Sequence, residues 1–347
     1  MTVAQLETER ETVATVGEFP LIQRFFAPTT GPLPSGVVIG RGDDAAVLGV
    51  PRTQQLVIST DTLVEGIHFP SDADPLLLGQ KALRVNLSDM AAMAAQPRWY
   101  LLSLSLPANT PVTWVEALVA GLHKAAQRPS AELALVGGNI TGAAPGSISI
   151  TITILGLVGK DRAVSRSGAQ VGDHLLVTGT IGDASLGWAI HQGELTGMDE
   201  ESQAALQHRH QLPDPPVELA IALQESAYLR SAIDVSDGLV ADLRQLCRAS
   251  GVGARLFAEQ VPLSAAAQAQ VDRQGEGLLA RLLSGGEDYE LLFTVAPTVV
   301  PSVMLLAATM GVRITEIGRI TGGSDVIVTY QEQPMSVGSG GWCHFGP

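Results

Sequence analysis

The stretch Ser147–Leu155, SISITITIL, alternates Ser or Thr with Ile over eight residues, a period of two that predicts a strand with one Ile face and one hydroxyl face. Elsewhere the period changes. LVIST, ending at Asp61, reads as a buried strand, and Asp74–Pro97 as one helix that starts near Asp74 or Pro75 and is closed by Pro97. WYLLSLSLP is a second strand, Thr110–Arg128 a second helix, and ELALVGGN a strand running into a glycine turn. The order β-β-α-β-α-β-β predicts an α+β unit, with helices on one side of a mixed or mostly antiparallel sheet.

Near residue 159 the polar, glycine-bearing GKDRAVSRSGAQVGD resets the texture. HLLVTGT then predicts a strand and IGDASLGWAI a helix start. SAIDVSDGLVADLRQLCRAS predicts strand, acidic turn and helix; SGGEDYELLFTV an acidic turn into a strand; and VRITEIGRIT a late strand. Three segments result: an acidic tail or frayed helix at 1–16, an N-terminal domain at 17–158 and a C-terminal domain at 159–347. A length of 347 residues suits two domains, and 46% hydrophobic residues suit packed cores.

The formal charge of −14 makes the chain a poor general binder of nucleic acid or anionic membranes. Cys247 and Cys343 form neither a disulfide framework nor a zinc spacing and fit a reducing cytoplasm. The N-terminus lacks the basic and apolar regions of a signal peptide, and the longest apolar run, Ile148–Val158, is too short to span a bilayer.

Carboxylates recur beside Gly, Ser, Thr or Asn at Gly42-Asp43-Asp44, Ser59-Thr60-Asp61, Asn86–Asp89, Asp234–Gly238 and Gly285–Asp288. Each alone reads as structural: Asp43 or Asp44 as a turn residue, Asp237 as the N-cap of a helix beginning at Gly238, Asp89 as a solvated helix residue. Together they ask for cations, because unpaired charge near a core is costly and basic residues are few. Oxygen donors suit a hard cation such as Mg²⁺, and Asn86 and Asp89, three apart, share a helix face. With no P-loop and no protein-kinase signature, phosphate cradles fall to Gly137-Gly138-Asn139 and to the helix start after Asp237, with Arg166 as the spare cation. Arg41-Gly42-Asp43 also spells an adhesion tripeptide, which leaves a non-enzymatic acidic metal-binding or adhesion protein as a rival.

The segments GEFPLIQRF, GRGDDAAVL, STDTLVEGIHF, KALRVNLSDMAAM, LVGGN, RSGAQVGD, DVSDGL, SGGEDYELLFTV and GWCHF run in order from Gly17 to Phe345. In them the chain resembles the thiamine-monophosphate kinase family of the PurM-like ATP-binding superfamily. The resemblance implies a two-domain PurM-like fold, an N-terminal domain that dimerises sheet to sheet, and an α/β C-terminal domain. It implies ATP-dependent phosphorylation of thiamine monophosphate to thiamine diphosphate, assisted by several Mg²⁺ ions, with Asp61 and Asp89 central to the transfer. Asp43, Ser59, Thr60, Asp61, Asp89, Asp234 and Asp237 would be metal ligands. Gly138, Asn139, Arg166 and Ser236 would contact ATP, and His68, Glu287 and Trp342 would line the thiamine phosphate pocket. Asn139 stands where many members carry Asp, which removes one negative charge. Other PurM-like enzymes, of the selenophosphate or aminoimidazole ribonucleotide synthetase type or the hydrogenase-maturation relative, are the nearest rivals; the first expects a reactive Cys near the N-terminus, and the first Cys here is Cys247.

Overall fold

The computed structural model describes residues 11–26, 32–127, 133–338 and 341. The chain divides into two compact units: Met1–Leu87 with Gln96–Asp161, and Ser88–Ala95 with Arg162–Pro347.

In the first unit, β1 (Val37–Ile39) and β2 (Val47–Leu48) form a short antiparallel ribbon. The main sheet holds β3 (Gln54–Val64), β4 (Gln96–Pro107), β5 (Ala134–Ala143) and β6 (Ser149–Gly159) in the order β3-β6-β4-β5 among the described residues. Only β4 and β5 run parallel, so the sheet is mixed, as its α+β order predicts. The Ile face of β6 is the buried one: Ile150, Ile152 and Ile154 are at most 1% exposed. Helices α1 (Pro75–Ala92), whose last turns belong to the second unit, and α2 (Val112–Ala126) bury Leu83, Leu87, Leu118 and Leu122 in the first unit. They cross at reciprocal glycines: a side chain at Gly79 would strike the Leu118 carbonyl, and one at Gly121 the Leu76 carbonyl.

Three sequence expectations are corrected here. The strand through LVIST is not buried, nor does it stop at Asp61; it runs on to Val64 and leaves Leu56 37% and Ile58 57% exposed on an open sheet face. Gly137-Gly138-Asn139 is not a turn but the interior of β5, since the missing Cβ at Gly138 lets the Leu102 carbonyl approach. Helix α1 ends at Ala92 through left-handed Ala94, and Pro97 already belongs to β4. In the segment expected as a tail or frayed helix, Val13–Val16 forms a helical turn under a Thr12–Thr15 capping box, held by Val13 and Ala14 N–H bonds to the Thr110 and Ala108 carbonyls. Residues 1–10 lie outside the described residues.

The second unit is built on a sheet of order β13-β12-β9-β11-β7-β10-β8 among the described residues. Its strands are β7 (His174–Thr178), β8 (Leu229–Val235), β9 (Gly253–Phe257), β10 (Glu290–Val295), β11 (Ile314–Thr321), β12 (Val326–Tyr330) and β13 (Gln333–Pro334). Helices α3 (Asp183–His191), α4 (Glu200–Gln211), α5 (Val217–Glu225), α6 (Leu239–Ser250), α7 (Ala265–Gln274), α8 (Glu276–Ser284) and α9 (Val300–Thr309) complete it. One core joins Leu175, Val177, Ile233, Val235, Leu243, Leu246, Leu283 and Leu292, and Cys247 packs inside it.

Candidate functional site

The expected site residues fall into separate groups. In the first unit the sheet sorts them by face. Across β3 and β6, Ser59 pairs with Ile154 and Asp61 with Ile152, so both stand on the face of the buried isoleucines. Thr60 faces the other way, where its hydroxyl meets Thr153 Oγ1 at 3.1 Å. Asn139, paired with Ser103, also belongs to the open face. There a cavity of about 650 Å³ is lined by Phe26, Arg41, Asp43, Leu101, Gly138 and Asn139 among others. That size suits a small organic ligand.

The Arg41–Asp44 turn forms the cavity rim. Gly42 takes a φ of +104°, and Asp43 closes the turn by accepting the Asp44 N–H at 2.8 Å. Arg41 is half-buried and donates to the Phe26 carbonyl at 3.0 Å, and burial lowers its pKa. The adhesion tripeptide is therefore not presented whole to solvent. Further on, His68 Nδ1 accepts the Val64 N–H, and its carbonyl accepts from buried Lys81.

In the second unit, Asp89, from the last turns of α1, meets the turn after β8. Asp234 is 5% exposed there; burial and then the charge of Asp89 push its carboxyl up to about 7, with Arg166 pulling the other way. The turn's cap differs from expectation. Helix α6 starts at Leu239, Gly238 is its N-cap residue, and the Asp237 side chain does not cap it. Asp242 does the work instead: its Oδ2 accepts the N–H groups of Ser236, Asp237 and Gly238, each at 3.1 Å. Burial, then Asp234 and Asp237, raise Asp242 to about 7. Its only sequence trace is an acid in the first turn of a helix.

The loop Gly285–Tyr289 lies against that turn. Glu287 N–H donates to the Ser236 carbonyl and Tyr289 N–H to the Val235 carbonyl, both at 2.8 Å. Asp288, raised well above its ordinary range by burial, accepts the Gly182 and Ala184 N–H groups at the start of α3. Glu287 and Tyr289 both hold positive φ, +69° and +52°. A left-handed conformation costs a non-glycine residue about 1–2 kcal/mol, so the loop is kept in shape by its surroundings. Two side chains at the end of α4 grip it and the residue after it: Arg209 bonds Glu290 at 2.6 Å, and His210 meets Glu287 at 2.7 Å. Neither was anticipated from sequence. Trp342 lies outside the described residues.

Among the described residues no group of three or more His, Cys, Asp or Glu forms a ready metal cage. The donor chemistry nonetheless fits Mg²⁺, which commonly takes only one or two carboxylates, with water and substrate phosphate completing its shell. Asp234 facing Asp89 in a buried setting supplies such a pair, and their repulsion is what a divalent cation would relieve.

Residues 42–158 match the family model for the N-terminal domain of AIR synthase related protein, and residues 170–331 that for its C-terminal domain. The thiamine-monophosphate kinase of Escherichia coli K12 is 40% identical over 330 residues, spanning 95% of this chain and 98% of its own. The solved thiamine-monophosphate kinase of Stenotrophomonas maltophilia K279a superposes with a TM-score of 0.79 at 37% identity, covering 91% of this chain and 97% of that one. AaThiL, solved in complex with AMPPCP and TMP, superposes with a TM-score of 0.73 at 32% identity over 95% and 98% of the two chains. With both domains matched and near-complete coverage, this chain belongs to the thiamine-monophosphate kinase family and has its PurM-like fold.

Proposed function

We propose that this protein transfers the terminal phosphoryl group of ATP to the phosphate of thiamine monophosphate, giving thiamine diphosphate and ADP. The observation that carries the reading is the buried Asp234 carboxylate beside the half-buried Asp89, a pair that asks for a divalent cation at a place where phosphate would complete its coordination. The relatives supply the substrate. Asp61 and Ser59 offer further oxygen donors on one strand face, and Asp43, Thr60 and Asp237 complete the set that we assign to Mg²⁺. Thr60, whose hydroxyl points to the opposite face, would contribute through its backbone. When bound, Mg²⁺ would neutralise the two polyanionic phosphates that must meet.

The acceptor is a phosphate oxygen already ionised at neutral pH, so the chain needs no strong general base; its residues align and neutralise. Gly138 and Asn139 line a cavity large enough for a nucleoside. Arg166 and the Ser236 hydroxyl are assigned to phosphate; the helix start after Asp237 does not serve as the cradle its sequence suggests, because Asp242 takes the N–H groups of Ser236, Asp237 and Gly238. Glu287 sets a negative charge against the cationic thiazolium, with His68 and Trp342 assigned to the same substrate.

We place the N-terminal domain at 17–158 and the C-terminal domain at 159–347, ranges that contain the two matched family domains. The exposed Leu56 and Ile58 support a homodimer formed through the N-terminal sheet. Among the described residues no helix is long and apolar enough to cross a membrane, and we read the enzyme as cytoplasmic.

Product analysis tests the function: ATP, Mg²⁺ and thiamine monophosphate should yield thiamine diphosphate and ADP, and ADP without thiamine diphosphate would overturn it. Asp61→Ala and Asp89→Ala are each expected to lower turnover by roughly a hundredfold or more while the folded far-UV circular dichroism spectrum is kept. Normal turnover by either variant removes that residue from the transfer.

A further inference from the structure

Glu287 is held by its backbone and by its side chain, and the two restraints come from different elements. The backbone, at φ +69°, hangs on the Ser236 carbonyl. The carboxylate is met at 2.7 Å by Nε2 of His210, in the last turn of α4. His210 is 5% exposed, so this is a built contact rather than a surface encounter.

The imidazole is itself located by packing. Its ring centroid lies 5.2 Å from that of Trp188 on α3, whose other ring neighbour is His191 at 5.6 Å. Helices α3 and α4 come this close because residue 187 is glycine: a side chain there would strike the Leu206 carbonyl and crowd the His210 Cβ. The preceding residue, Arg209, bonds Glu290 just beyond the same loop. Since the Arg209–Glu290 bond and the Asp288 contacts already tie this segment to its neighbours, a further contact aimed at the half-buried Glu287 side chain fixes the direction of a charge more than it fixes the loop.

We propose that His210 is a positioning residue for substrate recognition: it orients the Glu287 carboxylate toward the cationic thiazolium of thiamine monophosphate, and Trp188 holds the imidazole in place. This rests on the assignment of Glu287 to that substrate. Acting through Glu287, the histidine should influence one substrate and not the other.

Steady-state kinetics with each substrate varied in turn provide the test. His210→Leu keeps bulk and removes the donor; it should raise KM for thiamine monophosphate about tenfold while KM for ATP and kcat stay within about threefold. His210→Gln puts an amide N–H near the Nε2 position and should restore KM to within about threefold of wild type. His210→Asn has the same chemistry one methylene shorter; it should leave KM at least about fivefold above the Gln variant, which keeps the test available should the Leu variant fail to fold. A purely structural histidine would move both KM values together and follow thermal stability. Equal KM values for the Gln and Asn variants, or a parallel rise in both substrates, overturns the proposal and leaves the kinase reading standing. A wild-type protein that neither binds nor phosphorylates thiamine monophosphate overturns both.

Discussion

Asp242 draws three backbone N–H groups onto one carboxylate oxygen, and it does so while buried beside Asp234 and Asp237. Its unfolded value is 3.8 and its folded value about 7, so between these limits the native state binds the extra proton. The contribution of this group to stability is therefore greatest at low pH and falls as pH rises from about 4 to about 7. Asp242→Asn, whose amide oxygen can still accept those N–H groups, should be least favourable relative to wild type at acidic pH and gain on it toward neutrality. Urea unfolding in metal-free buffer at about pH 5 and about pH 8 reads the difference, and a pH-independent difference counts against the assignment. At this scale the sequence displayed the acidic turns but not their partners. Asp237 carried the local signal of an N-cap, yet the capping carboxylate comes from Asp242, within the helix. His210 and Arg209 were invisible because the acids they meet lie some 80 positions further along the chain.

Elements were more legible than residues wherever a period was strong. The Ile face of β6 and the two helices of the first unit follow directly from their spacing. Glycines misled where they answer to a distant backbone: Gly137-Gly138 looked like a turn and is strand, because the neighbour that demands glycine is the Leu102 carbonyl of β4. The same logic gives α1 and α2 their close crossing. Gly121→Ala should force those helices apart and cost about 1–3 kcal/mol, as overpacking generally does. Thermal unfolding would show it as a lowered midpoint, and an unchanged midpoint would mean that the crossing relaxes freely.

Over the whole molecule, a net charge of −14 keeps molecules apart through their field, while the first unit leaves Leu56, Ile58 and Leu101 exposed among the hydroxyls of its open sheet face. The proposed homodimer reconciles the two by hiding that face. Ile58, 57% exposed, is the position to challenge. Ile58→Lys should shift sedimentation velocity toward monomer while the first unit stays folded, because the side chain points away from the buried isoleucines. A dimer that survives the substitution would locate the interface elsewhere. Family and fold were readable from ordered motifs spread along the chain, whereas the open face was not: LVIST has the composition of a buried strand, and only its pairing with β6 reveals which residues look outward.

That pairing has an evolutionary consequence. In β3, Ser59 and Asp61 belong to one face and Ile58 and Thr60 to the other, one residue apart. Inserting a single residue ahead of Ile58, with the preceding register held and no compensating bulge, would exchange the two sets, sending Ser59 and Asp61 to the open side and Ile58 inward. Two inserted residues would leave both sets where they are. Length variation along this strand should therefore be tolerated in even steps and rejected in odd ones, so that chemistry and self-association drift together or not at all.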